Sequence, residues 1–320
     1  MDLLTISGVS VGRGERQRIE IPVSMLPTET WLSIPVEVVR GARPGPRVWL
    51  SAAVHGDELN GVEIIRLVLE RLDPQSLRGT VIAVPIVNVY GFIDQSRYLP
   101  DRRDLNRSFP GSPRGSLAAR LAHLFMREVV SHCTHGIDMH TGSHHRTNLP
   151  QVRANLADAE TRRCAEAFGA PVVMHAETRD GSLREAATQR GIHVLLYEAG
   201  EPLRFDAESV RVGVGGTLRV LAALKMRQTA PKPRRPPVEI GGTTWIRARN
   251  SGILRLEAAL GETVAAKQRL GVISDAFGDD RHTITAPGAG LIIACTNNPL
   301  VHQGDAIIHL ARPSEDSTSS

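Results

Sequence analysis

Two histidines and a glutamate occupy positions from which their side chains could hold a metal ion. His55 follows the apolar run 48–54, and Glu58 comes three residues later, at the start of a predicted helix. His140 also ends an apolar segment, in the sequence Asp-Met-His-Thr-Gly. Ligands gather at the carboxyl ends of strands in open α/β sheets, so we expect the three side chains to converge. Two imidazoles and a carboxylate, with one position left for water, are a ligand set of catalytic zinc, and we predict one Zn²⁺ per chain.

A zinc-activated water needs a nearby carboxylate to take up and return its proton. Glu198 directly follows the apolar run 194–197 and precedes a loop of small residues. Glu201 is the competing carboxylate, three positions further along. Because Glu198 continues directly from the predicted strand, it is favoured as the general base.

A loop rich in arginine lies between the first histidine and the second. Residues 97–107 contain Arg97, Arg102, Arg103 and Arg107, together with Asn106; Pro100 interrupts the segment and Pro110 follows it. The planar guanidinium suits two-point binding of a carboxylate, to which Asn106 can add a neutral hydrogen bond. Internal Arg–Asp pairing is the ordinary explanation of such a loop and is expected for Arg102. Beside a zinc site, the loop predicts a small anionic substrate.

The elements that must position these residues alternate between strands and helices. Apolar β-rich runs predict strands at 48–54, 81–87, 137–140, 172–175 and 194–197, and helical spacing predicts helices at 59–72, 118–130, 157–168 and 209–224. Such alternation indicates a mixed, mostly parallel sheet with helices on both faces. The first 45 residues are expected to add further extended segments.

Composition changes at a proline-rich and basic stretch. We therefore predict a catalytic domain over residues 1–225, a linker at 226–239, a β-rich domain at 240–312 and a disordered tail at 313–320. Five basic residues lie at 225–235 without an acidic one, so a formal net charge of +4 leaves −1 for the remaining chain. The positive charge is therefore not spread over a folded face, which argues against nucleic acid as a partner.

The β-rich segment repeats itself. Ala248-x-x-x-Gly252 recurs 38 residues later as Ala286-x-x-x-Gly290, and residues 264–273 match 301–310. The repeat resembles a biotinyl/lipoyl-type barrel-sandwich domain. Residues 275–282, where such a domain carries its modified lysine, contain none, so a carrier role is not expected.

The remaining composition narrows the class of protein. With 41% hydrophobic and 22% charged residues the chain is expected to fold as a globular protein, and no apolar run approaches the length of a membrane span. Three scattered cysteines give no disulfide framework, which predicts a reducing, cytoplasmic location without membrane contact.

Taken in order, the segments HGDE, DLNRSFPG, DMHTG and YEAGE resemble the succinylglutamate desuccinylase/aspartoacylase family of zinc carboxypeptidase-like deacylases. The resemblance implies zinc held by His55, Glu58 and His140, and a substrate carboxylate held by Asn106 and Arg107. It also implies that Glu198 acts as base and then acid. An upstream arginine polarises the scissile carbonyl in this family, and here Arg97 is the nearest match, with Arg103 as its rival.

The expected reaction is therefore zinc-dependent removal of an acyl group from an N-acyl amino acid or a similar small carboxylate. A carboxypeptidase acting on short peptides through the same zinc is the nearest alternative, since both reactions cleave an amide. A non-catalytic binding protein on this scaffold is a second alternative. The oligomeric state is left open, with a homo-oligomer possible.

Overall fold

The described residues, 3–234 and 236–314, form one twelve-stranded mixed sheet and two smaller sheets in this computed structural model. A short hairpin comes first, made of β1 (Leu4–Ile6) and β2 (Val9–Val11). The large sheet then takes up β3 (Glu15–Met25), β4 (Trp31–Arg40), β5 (Arg43–Ala52), β6 (Arg78–Val84), β7 (His135–His140), β8 (Arg146–Ala154), β9 (Val172–His175) and β10 (His193–Gly200).

Parallel strands form the centre of this sheet. β6, β5, β7 and β10 are consecutive parallel neighbours, and β8 is parallel to β9 but antiparallel to β10. The hairpin β3–β4 joins antiparallel beyond β6, which accounts for the extended segments predicted in the first 45 residues. The five predicted strands are confirmed as β5, β6, β7, β9 and β10, with bounds shifted by a few residues.

The helices are α1 (Asn60–Leu69), α2 (Val89–Ile93), α3 (Leu117–Glu128), α4 (Ala159–Phe168), α5 (Leu183–Thr188) and α6 (Ala207–Ala223). The four predicted helices are confirmed as α1, α3, α4 and α6. Helices α1, α4 and α6 share one apolar core with Leu50 of β5, whereas α3 shares another with Trp49. Successive residues of a strand point to opposite sides, so helices cover both faces of the sheet.

Strand β8 was not predicted, because its sequence does not look like a buried strand. It contains Pro150 and several polar residues, yet Asn148 and Gln151 are buried. Their side chains find hydrogen-bond partners inside the fold: Asn148 donates to Glu198, and Gln151 donates to the carbonyl of Ile293. Polar residues whose partners are distant in sequence give no local signal of burial.

The C-terminal strands are β11 (Val238–Arg247), β12 (Gly252–Leu256), β13 (Thr263–Val264), β14 (Arg269–Ser274), β15 (Arg281–Thr285), β16 (Gly290–Thr296), β17 (Leu300–Val301) and β18 (Ala306–Pro313). Every pairing between two of them is antiparallel. β12, β14, β15 and β17 form a four-stranded sheet, and the other four extend the large sheet. An apolar core that includes Leu254, Leu270 and Ile307 fills the space between them.

The sequence repeat corresponds to strands that exchange partners. In the first half, β13 pairs with β16 of the second half, and β17 of the second half pairs with β12 of the first. The matching residues Val264 and Val301 are both buried in the shared core. The two halves therefore interlock.

The C-terminal strands are continuous with the α/β part. Val238–Ile240 of β11 runs parallel to Val172–Met174 of β9, and β16 pairs with β8. Residues 224–234 and 236–237 form neither helix nor strand, whereas 238 and 239, included in the predicted linker, begin β11. In the predicted tail, Pro313 ends β18 and residues 315–320 lie outside the described part of the chain. No helix among the described residues is long and apolar enough to cross a membrane.

Candidate active site

The three predicted metal ligands meet at the carboxyl ends of two neighbouring parallel strands. His55 and Glu58 lie between β5 and α1, and His140 is the last residue of β7. His55 Nδ1 is 2.8 Å from Glu58 Oε1, His140 Nδ1 is 2.8 Å from Glu58 Oε2, and the two Nδ1 atoms are 3.2 Å apart. All three residues are buried. The structure thus brings together two imidazole nitrogens and a carboxylate around one buried point.

The outer nitrogens of both histidines are held by carboxylates. His55 Nε2 lies 3.1 Å from Asp104 Oδ1, and His140 Nε2 lies 2.9 Å from Asp138 Oδ2. An ionised carboxylate only accepts hydrogen bonds, so Asp104 and Asp138 each hold a proton-bearing Nε2, and both Nδ1 atoms face inward towards Glu58. This is the usual outer support of a metal-bound histidine. Two inward imidazole nitrogens, which offer lone pairs when the rings are neutral, and a carboxylate together fit a divalent cation.

The charged groups around His55, Glu58 and His140 also suit a bound cation. Burial by itself would lower the pKa of His55, but the carboxylates of Glu58 and Asp104 outweigh burial and raise it. The pKa of His140 is raised well above its usual value because Asp138 and Glu58 outweigh burial there. Burial would raise the pKa of Glu58, yet the adjacent histidines hold it far below its usual range. The cluster therefore favours positive charge beside an ionised Glu58.

Of the two rival arginines, Arg97 lies beside the cluster and Arg103 does not. Arg97 Nη2 donates to Asp104 Oδ2 at 2.9 Å, and its Nη1 is 3.3 Å from Glu58 Oε1. The side chain of Arg103 is 64% exposed and pairs loosely with Asp101 at 3.8 Å. Arg97 lines the cavity in front of the cluster, whereas Arg103 is outside its lining.

Asn106 and Arg107 also line this cavity, on a short helical turn at Leu105–Arg107. Asn106 Oδ1 accepts a hydrogen bond from the backbone N–H of Leu183 at 2.9 Å. The amide group therefore has a fixed orientation, with its NH₂ available as a donor. Arg107 Nη1 donates to the backbone carbonyl of Asn106 at 2.5 Å.

Glu198 lies next to His140 across the sheet. The two residues are in register on the parallel strands β10 and β7, so their side chains emerge on the same face. Asn148 Nδ2 donates to Glu198 Oε2 at 2.7 Å, and Glu198 Oε1 has no hydrogen-bond partner among the described residues. Glu201, the competing carboxylate, pairs with Arg204 at 2.9 Å and does not line the cavity.

The cavity measures about 750 Å³ and reaches from His55, Glu58 and His140 to the C-terminal β strands. Besides Arg97 and Arg107 it is lined by five arginines that were not predicted: Arg146, Arg153, Arg179, Arg184 and Arg247. All five come from β8, from the segment after β9 that includes α5, or from β11, so only tertiary structure brings them to the site. The strongly cationic lining favours an anionic occupant.

An aromatic stack from the β strands forms the wall opposite the cluster. Trp245 of β11 stacks on His309 of β18 with ring centroids 4.1 Å apart, and the Arg146 guanidinium lies 5.3 Å from the Trp245 ring. Burial, together with Arg153 and Arg146, lowers the pKa of His309 to about 4. His309 Nδ1 and Arg153 Nε are both buried without a hydrogen-bond partner among the described residues.

The sequence reasoning missed Asp104 and Asp138 as supports of the metal ligands, although a signal existed. Both lie within segments already singled out, two residues before Asn106 and His140 respectively. Carboxylates commonly hold the outer nitrogen of metal-binding histidines, so these two were the natural candidates. Trp245 and His309 had no comparable signal.

Comparisons with known proteins identify the family. Residues 44–224 match the succinylglutamate desuccinylase/aspartoacylase catalytic domain. The N-alpha-acetyl-L-2,4-diaminobutyric acid deacetylase of Halomonas elongata is 30% identical over 254 residues, covering 76% of this chain and 74% of that protein.

Solved structures share the fold over nearly the whole chain. A succinylglutamate desuccinylase/aspartoacylase from Rhodobacter sphaeroides superposes with a TM-score of 0.84 at 29% identity, covering 94% of this chain and 96% of that one. The product-bound ectoine utilization protein EutE (DoeB) from Ruegeria pomeroyi superposes with a TM-score of 0.85 at 23% identity, covering 95% and 97%. The chain therefore belongs to the succinylglutamate desuccinylase/aspartoacylase family, and it is a deacylase of N-acyl amino acid-like compounds.

Proposed function

We propose that this deacylase is a zinc enzyme, with one catalytic Zn²⁺ per chain held by His55, Glu58 and His140. The observation that carries the proposal is the pair of Nδ1 atoms that face inward beside Glu58, with the two rings held from behind by Asp104 and Asp138. When bound, zinc lowers the pKa of a water ligand towards about 7 and polarises an amide carbonyl.

Glu198 is proposed as the proton carrier. Its Oε2 accepts a hydrogen bond from Asn148, Oε1 has no partner among the described residues, and the residue lines the cavity. In this role Glu198 takes a proton from the attacking water and returns it to the nitrogen of the leaving amine. The acyl C–N bond breaks, and the products are a carboxylate and a free amine.

Arg97 is proposed to stabilise the negative charge that develops on the carbonyl oxygen during attack. Its guanidinium lies next to the metal cluster and is oriented by Asp104. The exposed position of Arg103, outside the cavity lining, favours Arg97 for this role and leaves Arg103 without a proposed contact to substrate.

The substrate's carboxylate is proposed to bind Asn106 and Arg107, which meet at the same side of the cavity. Seven arginines and five carboxylates line this space, counted among the described residues. The excess of positive charge supports a small anionic N-acyl compound. N-acetyl-2,4-diaminobutyrate, suggested by the Halomonas relative, satisfies the carboxylate requirement but also carries an ammonium group.

A panel of N-acyl amino acids tests the substrate class. N-acetyl and N-succinyl derivatives of acidic, neutral and basic amino acids, including N-acetyl-2,4-diaminobutyrate, are compared by kcat/KM with short peptides of the same C-terminal residue. We expect N-acyl amino acids to exceed the peptides, because the family to which the chain belongs acts on N-acyl amino acids. Faster cleavage of peptides would replace this proposal with a carboxypeptidase.

We also propose how the chain divides into domains. The interlocked strands of the C-terminal unit support a barrel-sandwich domain over residues 240–312, joined by a linker at 226–239 to a zinc carboxypeptidase-like catalytic domain. Residues 275–282 contain no lysine, so the unit is proposed to shape the cavity rather than carry a cofactor. A homo-oligomer and a cytoplasmic location remain predictions from the sequence.

A further inference from the structure

A second cluster of residues of the types that bind metals lies at the amino-terminal end of β7, away from the candidate active site. His135 is the first residue of β7, the strand whose last residue is His140. Helix α4 places Glu160 and Cys164 against it, on successive turns of the same helix face. The nitrogen, oxygen and sulfur ligand atoms of these three side chains all lie within 4.8 Å of one another. The proposed deacylase reaction uses none of them.

His135 faces Thr134 on one side and Glu160 on the other. Its Nδ1 lies 2.8 Å from Thr134 Oγ1, a hydroxyl that also reaches the backbone carbonyl of Arg47 at 3.1 Å. Its Nε2 lies 3.1 Å from Glu160 Oε1. When the neutral ring carries its proton on Nδ1, Nε2 offers a lone pair, and a cation between Nε2 and Oε1 would satisfy both acceptors.

The other side chains of the cluster are already oriented. Arg163 holds the Glu160 carboxylate through Nε–Oε2 at 2.8 Å and Nη2–Oε1 at 2.6 Å. Cys164 is a free thiol and is buried. A gap of about 10 Å³, enough for one water molecule, adjoins His135 and Cys164, while Glu160 lies outside its lining. His193, across from His135, is turned to Asp158 at 2.7 Å and is not counted as a ligand.

We propose that His135, Glu160 and Cys164 bind a second divalent metal ion of the zinc class, with water in the fourth position. Imidazole, thiolate and carboxylate together suit zinc rather than magnesium or calcium, which prefer oxygen ligands. On binding, the thiol of Cys164 loses its proton to solvent. The ion would tie α4 to the start of β7 and stabilise the fold, because it binds only where these two elements are in contact.

Cobalt gives a direct test, because Co²⁺ bound to a thiolate has a charge-transfer absorption that histidine and carboxylate ligands lack. The full-length protein, stripped with a chelator, is titrated with Co²⁺ while absorption and bound metal are measured. We expect two equivalents to bind, with the thiolate band accompanying one of them. One equivalent and no band would overturn the proposal and would leave a proton between His135 and Glu160.

Three variants test which residue gives the thiolate band. Cys164→Ser should lose the band and one equivalent of cobalt while keeping deacylase activity, because the cluster lies at the far edge from His140. His140→Ala should lose activity and keep the band, which separates this site from the catalytic one. Cys133→Ser is the matched control. This buried cysteine lies two residues from His135, but its thiol donates a hydrogen bond to the backbone carbonyl of Val129.

A band that survives Cys164→Ser or vanishes in Cys133→Ser contradicts the assignment. If Cys164→Ser does not fold, His135→Gln provides the same test with the thiol intact. We expect it to weaken the affinity for the second cobalt, and unchanged affinity would rule His135 out as a ligand.

Discussion

Replacing Glu198 with glutamine isolates the proton transfer proposed for the hydrolysis. Glutamine keeps the shape of the side chain, and its amide oxygen can still accept the hydrogen bond that Asn148 donates to Oε2 at 2.7 Å. Glu198 makes no hydrogen bond or ion pair with His55, Glu58 or His140, so zinc content should not change. What the variant loses is the base at Oε1.

Loss of a general acid–base group typically lowers the rate by about 10²–10⁴-fold, or roughly 3–5 kcal/mol in the activation barrier. We expect Glu198→Gln to lower kcat/KM by this amount. The assay is hydrolysis of the best N-acyl amino acid of the panel over a range of pH, with zinc measured on the same samples.

Glu201→Gln is the matched control, since Glu201 is three residues away but outside the cavity lining. Its kcat/KM should stay close to that of the unmodified enzyme. A Glu198→Gln enzyme that keeps its zinc and more than about a tenth of its kcat/KM would refute the assignment of the base.

Three further predictions follow from the site. Asp104→Asn should weaken zinc binding or activity by about 10–100-fold, because Asp104 holds the outer nitrogen of His55, and competition with a chelator measures the affinity. Arg107→Ala should raise KM for N-acyl amino acids whereas Arg103→Ala should not, and steady-state kinetics would contradict this if both changed alike. His309 has a folded pKa of about 4, below its unfolded value of about 6.5, so its contribution to stability is present above pH 6.5 and is lost as pH falls towards 4. The free energy of unfolding, measured with denaturant between pH 4 and 7, should therefore depend less on pH in His309→Gln than in the wild type. An identical pH dependence in the two proteins would contradict the lowered pKa of His309.

The meeting of His55, Glu58 and His140 could be predicted because it depends on short sequence patterns around each residue. His55 and His140 each follow a run of apolar residues that forms a strand, and parallel strands end at the same edge of a sheet. Two neighbouring strands are therefore enough to bring the ligands together. The order of the remaining strands does not affect this result.

The far wall of the cavity could not be predicted, because it depends on pairings between distant segments. Arg153 reaches the cavity from β8, whose polar sequence hides a buried strand, and Trp245 and His309 reach it because β11 joins the sheet at β9. Register between segments so far apart is set by the whole fold. The sequence therefore indicates the chemistry of the site but not the surface that selects the substrate.

Zinc analysis of the His140→Ala variant tests the central claim most directly. Wild-type protein and variant are purified without added metal, and zinc per chain is measured beside deacylase activity. The account predicts that the variant loses one equivalent of zinc together with hydrolysis. A variant that retains the zinc content of the wild type, or that hydrolyses N-acyl amino acids without it, would contradict a catalytic metal site at His55, Glu58 and His140.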